Sequence, residues 1–295
     1  MLLTYDEFKE RLIEELETSI PEQMELSCAT VTKNNGQRLE GIGIAIKGQD
    51  LAQQFYFDDL YKRHTDESDV KIAAECIIRN CRRNDVIGME IAEKLLDFNS
   101  IKDCLCIKIV NRSKNAEMLE SAPHIDFLDL AAIFYIRMGS DREFYSVTVN
   151  DNLMAKWDKK KEDIIKLAGQ NTRALDPAKV RKISEVVDGF GMPGTDTEAV
   201  LDNILTIGSQ SERFGAVYML DKKLLAGLAE KLGDNLVLIP SSIHEILAAP
   251  ASDVDPPYIN RIIKEVNSTC LEPVDYLSDH AYIFYKDECE LGLCE

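Results

Sequence analysis

The stretch Asn235-Leu-Val-Leu-Ile-Pro-Ser-Ser-Ile-His-Glu-Ile-Leu247 joins a short apolar run to a group of polar residues. The apolar run predicts a buried strand that ends at Pro240. Ser242, with Glu245 three residues later, matches the capping box that begins many helices, in which the two side chains satisfy free backbone N–H groups. The stretch therefore predicts a strand that runs directly into a helix.

The start of this predicted helix carries the best candidate site in the chain. Ser241, Ser242 and His244 would lie at a helix N-terminus, where backbone N–H groups favour anions. Capping alone is the structural alternative, and it accounts for Ser242 and Glu245 but not for His244. We treat these four residues as binding candidates and assign no catalytic residue, because the sequence places no third group beside them.

Composition limits the classes of partner. Apolar residues make up 45% of the 295 residues, which is ordinary for a globular protein. The formal charge of −18 repels nucleic acid and anionic membranes, so neither is an expected partner. The N-terminus lacks a basic signal region, and no apolar run approaches the ~18 residues of a membrane span. We expect a soluble, cytoplasmic protein.

Motifs for metals and nucleotides are missing from the sequence or stand in the wrong context. The eight cysteines include no C-x-x-C pair, and the second histidine of H-E-x-x-H is replaced by Ala248. The spacing G-x-G-x-x-G occurs at Gly189–Gly194, but it follows a predicted helix and contains Pro193. We therefore expect no metal and no cofactor.

Local patterns predict hairpins followed by helices along the whole chain. Predicted helices span about residues 5–18, 68–78, 86–96, 115–119, 159–167, 177–187, 222–232 and 258–266. Predicted hairpins span about residues 26–46, 130–149 and 204–220, single strands span 104–110 and 281–285, and residues 54–58 are a strand or a helix start. This alternation favours an α+β fold with mixed or antiparallel sheets flanked by helices. The division we expect is 1–122 and 123–295, with one compact unit as the alternative.

The first hairpin has the strongest local signal. Asn34-Asn35-Gly36 separates two strand-like runs, and an Asn-Gly turn requires positive φ at both residues. Asn34 and Asn35 are the remaining binding candidates.

Several segments resemble one bacterial family, catalogued as domain of unknown function 5688. The segments that carry the resemblance are Lys33-Asn-Asn-Gly36, Phe55-Tyr-Phe-Asp-Asp-Leu-Tyr61, Asp129-Leu-Ala-Ala-Ile133, Ile239-Pro-Ser-Ser-Ile-His-Glu245 and Leu277-Ser-Asp279. The part from Leu128 onwards is also similar to domain of unknown function 1444. The resemblance implies a cytoplasmic bacterial protein, chiefly of anaerobic Gram-positive bacteria, and it supplies no activity, cofactor or catalytic residue.

Three functions follow as hypotheses. The first is a non-enzymatic protein-binding or regulatory module, because no nucleotide loop, metal set or triad is recognisable. The second is a hydrolase or transferase that uses Ser241, Ser242 and His244. The third is an acidic mimic of nucleic acid, which would require carboxylates gathered on one face. An open sheet edge or an exposed apolar patch would favour the first hypothesis.

Overall fold

The computed structural model describes residues 2–48, 52–64, 66–139, 144–188 and 203–295. The chain divides into a first unit, Met1–Lys33 with Gln37–Phe98, and a second unit, Asn34–Gly36 with Asn99–Glu295. The predicted boundary between residues 122 and 123 stays a prediction, and that position lies within the second unit.

The first unit packs helices against a three-stranded antiparallel sheet. Its elements are α1 (Tyr5–Ser19), β1 (Met24–Thr32), β2 (Arg38–Ile46), β3 (Ala52–Tyr56), α2 (Phe57–Tyr61) and α3 (Glu67–Leu96). The strands lie in the order β1-β2-β3. The core of this unit gathers apolar residues of α1, α3 and the sheet.

The beginning of α1 follows from its sequence. The Thr4 side chain and Glu7 form a capping box. Phe8, Leu12 and Leu16 recur every four residues and are all fully buried, as expected of one helix face. The predicted helix over residues 5–18 is confirmed.

The first hairpin is also confirmed. Thr32 pairs with Arg38 in the register of β1 and β2. Asn35 and Gly36 have φ angles of 59° and 66°, so both occupy the left-handed conformation that the Asn-Gly signal requires. The segment 54–58, predicted as a strand or a helix start, contains both, because β3 ends at Tyr56 and α2 begins at Phe57.

The second unit contains two antiparallel sheets and the helices that cover them. A short helix, α4 (Phe98–Ile101), leads into it. Its further elements are β4 (Leu105–Asn111), α5 (Ala116–Leu119), β5 (His124–Phe127), β6 (Leu130–Gly139), β7 (Phe144–Thr148), α6 (Asp151–Trp157), α7 (Lys161–Leu175), β8 (Ala178–Lys182), α8 (Ile183–Asp188), β9 (Leu205–Ser209), α9 (Lys222–Leu232), β10 (Leu236–Pro240), β11 (Ile246–Pro250), α10 (Pro256–Thr269), β12 (Tyr282–Tyr285) and β13 (Glu290–Leu293).

The sheet topology confirms the α+β class. One sheet pairs β6 with β4 on one edge and with β5 and β7 on the other. The second has six strands in the order β13-β12-β10-β11-β9-β8, all antiparallel. Its central strands and α9 contribute most of the largest core of the unit, which includes the fully buried Tyr282 and Phe284.

The two helices predicted over 68–78 and 86–96 are one continuous helix, α3. Three further predicted elements are wrong. The helix expected after Pro240 is β11, which pairs with β10 on one side and with β9 on the other. The helix expected over 177–187 begins as the strand β8 and becomes helical only at Ile183. The strand expected at 214–220 is a 3₁₀ helix over Gly215–Leu220. In each case long-range packing outweighs local propensity.

Two predicted features lie outside the described residues. These are the glycine-rich loop at 189–194 and the turn of the second hairpin, although β6 and β7 do pair as predicted. Within the part of the chain that the structure describes, no helix is both long enough and apolar enough to cross a membrane.

Candidate functional site

Residues 241–245 form the loop of the hairpin between β10 and β11. The N–H groups of Ser241 and Ser242 donate to the carbonyl of Glu245 over 3.3 and 3.2 Å. The Ser242 hydroxyl accepts the N–H of His244 at 3.0 Å. Ser242 therefore closes a local turn, and the predicted capping box with Glu245 is not formed.

His244 uses both of its ring nitrogens within the fold. Nδ1 accepts the backbone N–H of Phe214 at 3.1 Å, and Nε2 lies 3.1 Å from Oδ1 of Asp275. Because Nδ1 accepts a hydrogen bond, the ring proton resides on Nε2 and is donated to Asp275. In this neutral form the ring has no lone pair left with which to take a proton from a serine hydroxyl.

Phe214 fixes the position of the imidazole. The two rings stack, with centroids 5.7 Å apart and an interplanar angle of 22°. Phe214 has a φ of 55°, which costs about 1 kcal/mol for a residue with a side chain. The next residue must be glycine, because a Cβ on Gly215 would lie 2.5 Å from the His244 carbonyl oxygen and from the backbone of Gly208. The hairpin loop and the 3₁₀ helix are thus in close backbone contact.

Asp275 belongs to a loop that several distant segments hold in place. We name residues 273–280 the anchor loop. The carbonyl of Asp275 accepts the N–H of Ile243 at 2.9 Å, in addition to the bond from His244 to its carboxylate. Asn111 donates its amide to the Leu277 carbonyl at 3.0 Å. The anchor loop therefore receives hydrogen bonds from both sheets of the second unit.

The two asparagines of the first hairpin turn contact the same loop. Asn34 donates its amide to the Val274 carbonyl at 2.6 Å, and Asn35 donates to the Tyr276 carbonyl at 2.8 Å. Asn35 and Asn115 also form a reciprocal pair, with N–H to Oδ1 and Nδ2 to Oδ1 distances of 2.9 Å each. Both side chains of this pair are buried, at 6% and 3% exposure, so each bond is protected from water.

Asp129 holds the far end of the anchor loop. Its carboxylate accepts the Ser278 hydroxyl at 2.7 Å and the Tyr282 hydroxyl at 2.6 Å. Burial, with the charge of Asp129 adding to it, raises the pKa of Tyr282 far above that of a solvent-exposed tyrosine. Tyr282 therefore stays protonated at neutral pH and donates its hydroxyl hydrogen to Asp129.

The structure brings the sequence candidates together only in part. Three of the candidates bond to the anchor loop: Asn34, Asn35 and His244. Ser242 instead closes the turn within the hairpin loop 241–245. The hydroxyl of Ser241 makes no hydrogen bond to another described residue, and Glu245 contributes its carbonyl. No hydrogen bond joins the side chains of any two of these six residues.

Sequence reasoning missed the other members of this network. Asp275 and Asn115 carry no local pattern that sets them apart, and Asn111 stands out only as the start of an Asn-Arg-Ser sequon. Asp129 and Ser278 lie in two of the segments that carry the family resemblance, which was the only signal available for them. Among the described residues, no three His, Cys, Asp or Glu side chains lie close enough together to hold a metal ion.

The arrangement is a hydrogen-bonded scaffold, and it joins four of the five segments that resemble the family. The family model for a family of unknown function (DUF5688) matches residues 5–286. The chain belongs to this family. No curated protein and no solved structure matches it.

Proposed function

We propose that the protein is a non-enzymatic module of the bacterial cytoplasm that binds an extended segment of another protein along the outer edge of β7. The observation that carries this proposal is an edge of β7 with which no described strand pairs, beside exposed aromatic and cationic side chains. Strand addition to such an edge is a common mode of peptide recognition, because main-chain hydrogen bonds supply affinity for any extended segment.

The register shows which edge of β7 is open. Because β4 occupies one edge of β6, β7 lies on the other, and no other described strand pairs with β7. The Val149 N–H donates to the Phe134 carbonyl at 2.9 Å. Since donors alternate along an antiparallel strand, Tyr145 and Val147 also point their N–H groups towards β6. The N–H and carbonyl of Ser146 therefore point away from β6, where a partner strand would lie.

The side chains around this edge have the composition of a binding surface. Tyr145 is 47% exposed, and the Arg213 guanidinium lies 4.7 Å from the ring centroid of Phe144. Tyr, Phe and Arg are enriched at the centres of protein interfaces. Arg213 is exposed and has no acidic partner among the described residues, which favours a partner segment that carries a carboxylate.

The enzymatic hypothesis has less support from the geometry. A hydrolase or transferase built on Ser241, Ser242 and His244 would require Nδ1 of His244 to release the Phe214 N–H, because that nitrogen carries the lone pair that would take a serine proton. The Ser241 hydroxyl makes no hydrogen bond to another described residue, so no described base is bonded to it.

A display library of random extended peptides tests the proposal. The library is selected against the full chain, and the selected peptides are titrated against the wild type, Ser146→Pro and Ser146→Ala. Proline removes the outward N–H and leaves the β6 ladder intact, so it suits an edge position, while alanine retains that N–H. Fluorescence of the buried Trp157 checks that each variant is folded.

We expect the selected peptides to share a carboxylate and to bind wild type and Ser146→Ala equally. Ser146→Pro should weaken binding at least about tenfold, and Arg213→Glu should remove the preference for acidic peptides. The proposal is wrong if Ser146→Pro binds as well as Ser146→Ala, or if no extended peptide is selected.

A further inference from the structure

A separate cavity of about 330 Å³ opens on the second unit, between the end of β5, the beginning of α9 and the strands β12 and β13. Six apolar residues line it: Phe127, Leu128, Met219, Leu220, Phe284 and Leu291. Phe284 and Met219 are almost fully buried, whereas Leu220 reaches the surface. The cavity therefore has an apolar floor and an open mouth. Its volume lies within the range of small-molecule sites.

Two residues of opposite charge complete the lining. Lys222 is the first residue of α9, and Glu290 is the first residue of β13. Both residues are exposed, and neither side chain makes a hydrogen bond or ion pair with another described residue. The lining thus includes one basic and one acidic residue, neither of them paired with another described residue.

We propose that this cavity binds a small apolar zwitterion, of the class of the hydrophobic α-amino acids. The ligand carboxylate would pair with Lys222, whose charge is reinforced by the positive end of α9. The ligand ammonium would pair with Glu290, and the apolar side chain would cover Phe284 and Met219. The volume of about 330 Å³ lies near the lower end of the range for small-molecule sites, which suits a ligand of amino-acid size.

The pair of charges argues against simpler ligands. A carboxylate without an ammonium group would be attracted by Lys222 but repelled by Glu290. An amine without a carboxylate would be attracted by Glu290 and repelled by Lys222, and an uncharged apolar molecule would gain nothing from either charge. Like-charge juxtaposition of this kind is how binding sites reject the wrong partner.

Calorimetric titration of the full chain tests the proposal with three matched probes. L-phenylalanine carries both charges, 3-phenylpropionate lacks the ammonium group and 2-phenylethylamine lacks the carboxylate. L-leucine and the other apolar amino acids are titrated as well. We expect phenylalanine or another apolar amino acid to bind, with both of the singly charged probes at least about tenfold weaker than the zwitterion.

Variants then assign each charge. Lys222→Met should abolish the preference for phenylalanine over 2-phenylethylamine, and Glu290→Gln should abolish its preference over 3-phenylpropionate. Lys223→Met is the control, because this neighbouring exposed lysine does not line the cavity. Ser146→Pro should leave amino-acid binding unchanged, so the two proposals fail or succeed separately.

Three results would overturn this assignment. A singly charged probe that binds the wild type as tightly as phenylalanine would show that the charges do not select a zwitterion. Equal losses in Lys222→Met and Lys223→Met would show that the effect is one of net charge. The absence of binding by every apolar amino acid would exclude the proposed class of ligand.

Discussion

At the scale of single residues, His244 shows how a side chain that resembles a catalytic group can serve the fold. The hydrogen bonds of its two ring nitrogens fix the loop 241–245 against Phe214 on one side and Asp275 on the other. The aromatic stack with Phe214 adds contact area to those bonds. A role in the scaffold therefore accounts for this histidine without any ligand.

We expect His244→Ala to lower the free energy of unfolding by about 2 kcal/mol. The substitution leaves the Phe214 N–H without its acceptor, and an unsatisfied buried donor costs about 1–3 kcal/mol. Urea denaturation followed by Trp157 fluorescence measures the change. Ser241→Ala is the control and should be nearly neutral, because the Ser241 hydroxyl has no partner among the described residues. Equal stability of the two variants would contradict a scaffold role.

Asp221 gives a prediction of pH dependence. It caps the N-terminus of α9. Its carboxylate accepts a hydrogen bond from Arg173 Nε at 2.6 Å and one from the Leu224 N–H at 3.3 Å. Burial alone would raise the pKa of Asp221, but these bonds outweigh it and lower the pKa below its ordinary value of 3.8. Because the pKa is lower in the folded than in the unfolded state, Asp221 stabilises the fold above about pH 4. That contribution is lost as the pH falls through the folded pKa.

We therefore expect Asp221→Asn to be less stable than the wild type by about 1 kcal/mol at neutral pH. The difference should shrink as the pH is lowered below about 4, since both chains then carry an uncharged group there. Urea denaturation at a series of pH values measures it. Glu230→Gln, on the exposed face of the same helix, is the control. Its free energy of unfolding should differ little from that of the wild type, and this difference should not shrink below about pH 4.

At the scale of elements, the first hairpin turn combines backbone conformation with side-chain bonding. Asn35 has positive φ, and its side chain bonds to the anchor loop and to Asn115. Asn35→Gly should remove the side-chain bonds while keeping the conformation, at a cost of about 2 kcal/mol. Asn35→Ala should cost about 1 kcal/mol more, because alanine is strained at positive φ. Thermal and urea denaturation measure both; a glycine variant less stable than the alanine variant would refute the argument.

The same turn shows what local sequence can predict. The Asn-Gly signal and the flanking strands are short-range features, so the hairpin of β1 and β2 followed from them directly. The partners of Asn35 did not, because the nearest acceptor carbonyl in the anchor loop is more than two hundred residues away. Its contacts depend on the topology of the whole second unit.

The hairpin of β10 and β11 shows where local sequence misleads. Ser242 and Glu245 have the spacing of a capping box, and Leu247, Ala248 and Ala249 are residues that helices tolerate well. The competing interaction is pairing of Ile246–Pro250 with strands on both sides, and one of them, β9, is distant in sequence. A buried position between two strands outweighs a cap that contributes about 1 kcal/mol.

At the scale of the whole molecule, alternation of hairpins and helices was sufficient to predict an α+β protein with antiparallel sheets. The strand order of the six-stranded sheet was not predictable in the same way. Two of its pairings, β9 with β11 and β10 with β12, join strands that are not successive in the chain. Such pairings depend on which apolar faces match after collapse, and single-sequence patterns do not record them.

The place of β12 in that sheet has a consequence for biosynthesis. Tyr282 and Phe284 are fully buried between β13 and β10, although the ribosome makes them after every other strand of the sheet except β13. A nascent chain that has reached only Pro250 exposes one edge of β10 and an unfilled core, and at usual translation speeds it waits a few seconds for β12. Ribosome stalling in this interval would leave an open strand edge prone to aggregation, so timely synthesis of the last strands protects the whole unit.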